Sequence, residues 1–273
     1  MKSFKNKQVL VTGAASGIGR ETALAFASQG AVLWLSDLNQ KGLDEVAQQI
    51  AQQGGRAQTL IMDVADADAV RAAAEQVHAQ IDALDILVNN AGIGSAGRFL
   101  DASLETWKKV MDVNLMGVVH GCQAFLPAMV QRGQGGHVVN TASAAAFLAA
   151  PDMPVYAASK FAVLGLSESL RADMAQHKIG VSAICPGIIN TDIVRTTIME
   201  GAMGEGDVQD KVVAFYQKRN YTPAQVAQAV LKAVRRNVAV QPVSPEAWGM
   251  YWAKRLVPGL LGQLSRRELP FLK

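Results

Sequence analysis

The stretch Val9-Leu10-Val11-Thr12-Gly13-Ala14-Ala15-Ser16-Gly17-Ile18-Gly19 runs from a short apolar segment through a glycine-rich turn into a helix-forming segment. Residues 9–12 read as a buried strand and 17–29 as a helix. Gly13 permits a tight turn, Gly17 lets backbone approach a pyrophosphate, and Gly19 lets helix and sheet pack closely. Between them, Ser16 and Ile18 sit where the first helical N–H groups and the helix dipole face an anion. The spacing is G-x-x-x-G-x-G, not the commoner G-x-G-x-x-G. A glycine turn that holds nothing has the same composition; the strand before and the helix after supply the context a dinucleotide site requires.

The same rhythm continues outward. Strand patterns fall at 31–36, 57–62, 86–88, 137–140, 180–184 and, as an edge strand, 238–241. Helix patterns fall at 43–53, 66–80, 104–129 (one helix or two), 156–176 and 225–234. Short apolar strands alternating with helices of this length predict a parallel sheet covered on both faces. No linker tract divides the chain, so one α/β domain is expected over 1–244, with an extension at 245–273. Three loops break the rhythm, at 92–103, 142–155 and 190–221, the last with short helices expected at 191–199 and 208–217. In a parallel sheet such loops lie beyond the carboxyl ends of the strands, where ligands bind.

Polar residues near those ends are the candidate site. Asp37, at the end of the second strand, can accept hydrogen bonds from the adenosine ribose and repels a 2′-phosphate, which favours NAD over NADP. A solvent-exposed turn Asp reads the same way, and Lys41 and Arg20 can reach this region, so NADP stays open. Asp63 and Val64 end the third strand, where they can meet adenine or simply cap a turn. Tyr156 and Lys160 are four apart on one helical face. An ammonium beside a phenol lowers its pKa and improves proton exchange near neutrality. The pair alone also reads as an amphipathic surface pair. Ser143, just after a strand, adds a hydroxyl to hold a substrate oxygen, and Asn114 adds a polar partner for a water linked to Lys160.

These residues resemble the motifs of the classical short-chain dehydrogenase/reductase family over residues 7–241. Residues 12–19 match T-G-x-x-x-G-x-G, Asn89-Asn90-Ala91-Gly92 matches N-N-A-G, and Tyr156 with Lys160 matches Y-x-x-x-K. Pro186-Gly187-Ile188-Ile189-Asn190-Thr191 resembles the family's P-G segment and its following Thr. The resemblance implies a catalytic set of Asn114, Ser143, Tyr156 and Lys160. It implies cofactor contacts from Asn90, Ala91, Gly92, Pro186, Gly187, Ile188 and Thr191, with Thr191 and the Ile188 backbone meeting the nicotinamide carboxamide. It further implies a Rossmann-like, doubly wound sheet of seven parallel strands, a dimer or tetramer, and hydride exchange between NAD(H) and an alcohol or ketone.

The wall candidates Ile93, Gly94, Ala145, Ala146, Phe147, Leu148, Met153, Ile188, Ile193, Val194, Ile198 and Met199 are largely apolar, which favours a hydrophobic secondary alcohol or ketone: steroid-like, aromatic or aliphatic. No Arg or Lys lies in 143–154 to meet a carboxylate; Arg195 is one residue that could. Two rival classes stand beside this reading: a cofactor-binding regulatory protein without catalysis, and an NADPH-dependent reductase of 3-oxoacyl thioesters. The catalytic set argues against the first and Asp37 against the second.

Composition limits the alternatives. Half of the 273 residues are hydrophobic and 18% are charged, a balance opposite to disorder. A net charge of +3, from 26 Lys and Arg against 23 Asp and Glu, argues against nucleic acid as a partner. Cys122 and Cys185 sit in apolar surroundings and are expected as reduced, buried thiols. His78, His120, His137 and His177 form no ligand pattern, so no metal is expected, and surface or helix-packing roles are the default for them. Residues 1–8 are unlike a signal peptide and no apolar run reaches roughly 20 residues, so no transmembrane segment and a cytoplasmic location are expected. Within 245–273, Trp248, Trp252, Leu256, Leu260, Leu261 and Leu264 alternate with Lys254, Arg255, Arg266 and Arg267. That amphipathic pattern suits a membrane surface, or a helix covering the cleft or a partner subunit.

Overall fold

A computed structural model describes residues 1–219, 221–259 and 262. Seven parallel strands form one sheet in the order β3 (Arg56–Ile61), β2 (Val32–Asp37), β1 (Gln8–Thr12), β4 (Ile86–Asn89), β6 (Gly136–Thr141), β7 (Ile179–Pro186) and β9 (Val240–Val243). The period-two alternation of the central strands feeds two cores. Val9, Val11, Leu33 and Leu35 face α1 (Gly17–Ala27), α2 (Gln40–Gln52) and α8 (Pro223–Arg236). Leu10, Trp34 and Leu87 face α3 (Ala67–His78), α5 (Gly117–Arg132) and α6 (Pro154–Met174). The central strands are buried on both faces, whereas the edge strand β3 is exposed along much of its length. Because β1 pairs with both β2 and β4, the strand order reverses between β1 and β4 and opens a crevice at their carboxyl ends.

The expected doubly wound architecture is present, with local departures. The edge strand lies two residues later than the apolar run suggested, pairing Ala183 with Val240 and Pro186 with Val243. Residues 191–199 do not form a helix. A single 3-10 turn, Asp192–Val194, leads to β8 (Ile198–Met199), which pairs with β5 (Ser95–Ala96). This two-stranded sheet ties the loop after β4 to the loop after β7, and α7 (Val208–Arg219) follows it.

α4 (Leu104–Met111) continues through a π-helical turn, Asp112–Met116, into α5. The continuous helix Leu104–Arg132 has a window with mean hydropathy 1.4 and the length to cross a membrane. Its apolar residues Val118, Cys122, Phe125 and Met129 are instead packed into the core beneath the sheet. His137 belongs to neither a surface nor a helix. It lies on β6, buried, with Nε2 2.8 Å from Ser182 Oγ. Ser182 gives its one proton to Val238 O at 2.5 Å, so His137 Nε2 is the donor to Ser182.

α9 (Pro245–Leu256) packs back on the chain. Tyr251 meets Phe147 edge to face at 5.3 Å, and Lys254 Nζ donates to Ala146 O at 3.2 Å while lying 3.7 Å over the Phe161 ring. Trp248, Trp252 and Leu256 remain exposed. Leu260, Leu261, Leu264, Arg266 and Arg267 lie outside the described residues.

Candidate active site

A cavity of about 870 Å³ opens at the carboxyl ends of β1, β4, β6 and β7. Its floor is the glycine turn. Gly13 has φ +66° and Gly17 φ +53°, conformations that favour glycine. A Cβ on Gly19 would lie 1.9 Å from the Gly13 carbonyl oxygen, so Gly19 seats α1 against its own turn as expected. Thr12 Oγ1 accepts from the N–H groups of Asn90 and Ala91 at 2.9 and 3.0 Å, and Asn90 Nδ2 donates to Thr12 O at 3.0 Å. Asn89 turns away into the core, donating to Asn140 Oδ1 at 2.9 Å. The Asn89–Gly92 segment therefore staples β4 to the turn.

The first turn of α1 has no acidic residue, and the Ser16 side chain makes no capping hydrogen bond. Its N–H groups remain available beside Ser16, Gly17 and Ile18, all of which line the cavity. This is the chemistry a phosphate anion needs, so the residues fit a dinucleotide. Asp37 lines the cavity, but one carboxylate oxygen accepts from Ala15 N and the other from Asn39 N, both at 3.1 Å. Arg20 is drawn away toward Glu21 and Gln49, so it does not offset the Asp37 charge. Asp63 Oδ1 caps its own turn by accepting from Ala65 N at 2.9 Å, with Val64 beside it on the wall.

Ser143, Tyr156 and Lys160 meet on the opposite wall. Ser143 follows β6, Tyr156 and Lys160 occupy the first turns of α6, and Pro154 starts that helix where its missing N–H costs nothing. Ser143 Oγ accepts from Ala145 N at 3.1 Å and donates to Pro186 O at 3.5 Å, and it lies near enough to the Tyr156 phenol to affect its pKa. Lys160 is buried, with Nζ 2.9 Å from Thr141 O and 5.7 Å from the centre of the Tyr156 ring. Burial pulls its pKa down to about 8. The expected lowering of the Tyr156 pKa is not found. Burial pushes the phenol up, and Ser143 opposes this only in part. The sequence shows the Tyr–Lys spacing but not the depth at which the pair is placed.

Asn114 sits in the π-helical turn, behind the cavity rather than on its wall. Its Oδ1 accepts from Ile93 N at 2.8 Å, and Nδ2 donates to Ile93 O at 3.0 Å and Ser159 Oγ at 3.1 Å. With both amide protons committed, Asn114 holds the loop after β4 in place. What remains of the expected water site is the second lone pair of Oδ1. A Cβ on Gly92 would lie 3.1 Å from that oxygen and 3.4 Å from Lys160 Nζ, so Gly92 keeps the space between them open.

The third wall is the loop after β7. Pro186, Gly187, Ile188 and Thr191 line the cavity. The Ile188 N–H, part of the backbone expected to meet the nicotinamide carboxamide, donates to Glu246 Oε1 at 3.0 Å. Of the apolar wall candidates, Ile93, Gly94, Ala145, Leu148, Met153, Ile188, Ile193, Val194 and Met199 do line the cavity. Ala146 and Phe147 are buried beneath it, and Ile198 is outside the lining because alternate residues of β8 face opposite ways. Arg195 borders a small neighbouring cavity instead of the main one.

Residues from α7 and α9 complete the wall: Val212, Phe215, Tyr216, Glu246 and Met250. Nothing in their local sequence marks them. The two cysteines are buried and unpaired, and burial raises both thiols to about 12. Among the described residues, no group of three or more His, Cys, Asp or Glu can hold a metal.

A family model described as short chain dehydrogenase matches residues 7–200. The chain is 43% identical over 270 residues to "Probable oxidoreductase EphD" of Mycobacterium tuberculosis, covering 96% of this chain and 45% of that protein. It thus spans less than half the length of that relative. It is 35% identical over 269 residues to bovine "Dehydrogenase/reductase SDR family member 7B", covering 95% of this chain and 80% of the relative. A short chain dehydrogenase/reductase from Burkholderia phymatum, solved in complex with NAD, superimposes with a TM-score of 0.85 at 28% identity over 98% of both chains. Sequence motifs, sheet order and these likenesses agree: the chain belongs to the short-chain dehydrogenase/reductase family of oxidoreductases.

Proposed function

We propose that the chain is an NAD(H)-dependent oxidoreductase acting on a hydrophobic secondary alcohol or the corresponding ketone. One observation carries the reading: Tyr156, beside Ser143 and flanked by buried Lys160, shares its cavity with the glycine turn. Gly13 to Gly19 would hold the phosphates, Asp37 the adenosine ribose, Asp63 and Val64 the adenine, and Lys160 the nicotinamide ribose. Asn90, Ala91 and Gly92 would border the cofactor, and Pro186, Gly187, Ile188 and Thr191 would flank the nicotinamide. The bound nicotinamide supplies the hydride acceptor or donor.

The protein's own work is proton control at one oxygen. Buried Tyr156 rests protonated, so its hydroxyl is a proton donor to a carbonyl oxygen as that oxygen gains negative charge. Ser143 steadies the same oxygen with a second hydrogen bond. Lys160, with a pKa of about 8, is mostly charged at neutral pH, and its field favours the phenolate left behind. In the reverse direction that phenolate takes the alcohol proton. Apolar Ile93, Leu148, Met153 and Phe215 keep water from the reacting bond and accept an apolar substrate body. The reading further places the chain in the cytoplasm as a homo-oligomer, its buried free thiols suiting a reducing compartment.

The test is a turnover screen with NADH and NADPH against steroid, aryl and aliphatic ketones and 3-oxoacyl thioesters. We expect turnover of ketones with a preference for NADH. Turnover confined to NADPH and acyl thioesters would overturn the substrate reading.

A further inference from the structure

Among the residues of the cavity wall, one carboxylate, from α9, bridges three segments. Glu246 lies in the first turn of α9, where the helix dipole favours negative charge. Its Oε1 accepts from Ile188 N at 3.0 Å, and its Oε2 pairs with Arg219 at the last turn of α7. The Glu246 side chain is 19% exposed and that of Arg219 37%, so the pair is partly shielded from water. Burial alone would raise the carboxyl pKa, yet the N–H of Ile188 and the guanidinium of Arg219 hold it below its ordinary value.

The backbone is shaped for this approach. A Cβ on Gly187 would lie 2.6 Å from Glu246 Oε1 and 2.4 Å from Ser244 Oγ. The absent side chain of Gly187 is the space the carboxylate enters. Ser244, buried, holds φ +110°, a conformation L residues rarely adopt and one that neighbouring structure must enforce.

We propose that Glu246 is a positioning residue that fixes the loop 186–188 at the nicotinamide end of the site and ties it to α7, the wall that closes over the substrate. This rests on the dinucleotide reading above. The two carboxylate oxygens divide the work: one orders the cofactor loop, the other holds Arg219 and with it Val212, Phe215 and Tyr216 against the cavity.

The test compares Arg219→Ala, Glu246→Ala and Glu246→Gln with the unaltered full chain, using NADH fluorescence to obtain Kd and ketone turnover to obtain KM and kcat. Thermal unfolding is recorded for each. Arg219→Ala should raise the ketone KM roughly tenfold and leave the NADH Kd unchanged. Glu246→Ala should weaken both. Glu246→Gln keeps a carbonyl for the Ile188 N–H, so NADH binding should return to near the original value while KM stays raised. If Glu246→Ala fails to fold, the contrast between Arg219→Ala and Glu246→Gln carries the test. NADH binding by Glu246→Ala equal to the original, or an Arg219→Ala KM equal to the original, overturns the proposal. An unaltered chain that binds neither NADH nor NADPH overturns the dinucleotide reading itself.

Discussion

Replacing Gly19 with Ala should disable cofactor binding by displacing backbone, without touching a polar group. The added Cβ would lie 1.9 Å from the Gly13 carbonyl oxygen and 2.6 Å from Asn90 Nδ2. Real Cβ contacts stay beyond 3.0 Å, so the turn must shift by about 1 Å. Gly13, at φ +66°, and Asn90, bonded to Thr12 O at 3.0 Å, leave it little room to do so. Overpacking of this kind costs about 1–3 kcal/mol of stability. A displacement near 1 Å at a binding turn costs on the order of 100-fold in function. NADH fluorescence titration reads the affinity and thermal unfolding reads the stability. Gly249→Ala is the control. That glycine is helical and exposed, nothing lies within 4 Å of its added Cβ, and the change should stabilise by about 0.5–1 kcal/mol. A Gly19→Ala variant that binds NADH within threefold of the original would refute the packing argument.

Three further outcomes follow from the same geometry. Asp37→Ser removes a carboxylate facing the expected adenosine ribose, so the NADH-to-NADPH affinity ratio should fall roughly 100-fold, read by parallel titrations; an unchanged ratio would show that Asp37 serves only to hold Ala15. His137, buried on β6, has its pKa lowered to about 3 from 6.5 by burial first and by Arg171 second. Between those values the unfolded chain binds the extra proton, so stability rises with pH across that window and is lost as pH falls toward 3. The contribution is on the order of 4–5 kcal/mol, and His137→Gln should flatten the dependence seen in urea titrations at pH 4 and pH 7. Lys160→Met should remove the group titrating near pH 8 from the activity profile and lower kcat; an unchanged profile would assign that limb to another residue.

The parts of this fold that were legible in the sequence are those determined locally. The residues 9–19 announce strand, turn and helix because each glycine has a steric task within that segment. Tyr156 and Lys160 share a face because helical spacing alone requires it. What escaped depends on distant encounters. β5 and β8 are two residues each, too short for any period, and exist only because the loops after β4 and β7 meet. The π-helical turn that aims Asn114 at Ile93 has no composition signal. Glu246 and Arg219 are ordinary charged residues on helix ends until the fold sets them beside Ile188. The direction of the Tyr156 pKa was misread for a related reason: the charge partner is visible in the sequence, whereas the burial that outweighs it is a property of the packed cavity.

The decisive measurement is Tyr156→Phe, assayed for NADH affinity and for ketone turnover on the same preparation. Losing one hydroxyl should leave the dissociation constant for NADH unchanged and lower kcat roughly 10²- to 10⁴-fold, because the proton donor is gone while the glycine turn is intact. Turnover by that variant at the original rate would remove Tyr156 from the chemistry and with it the proton-transfer mechanism.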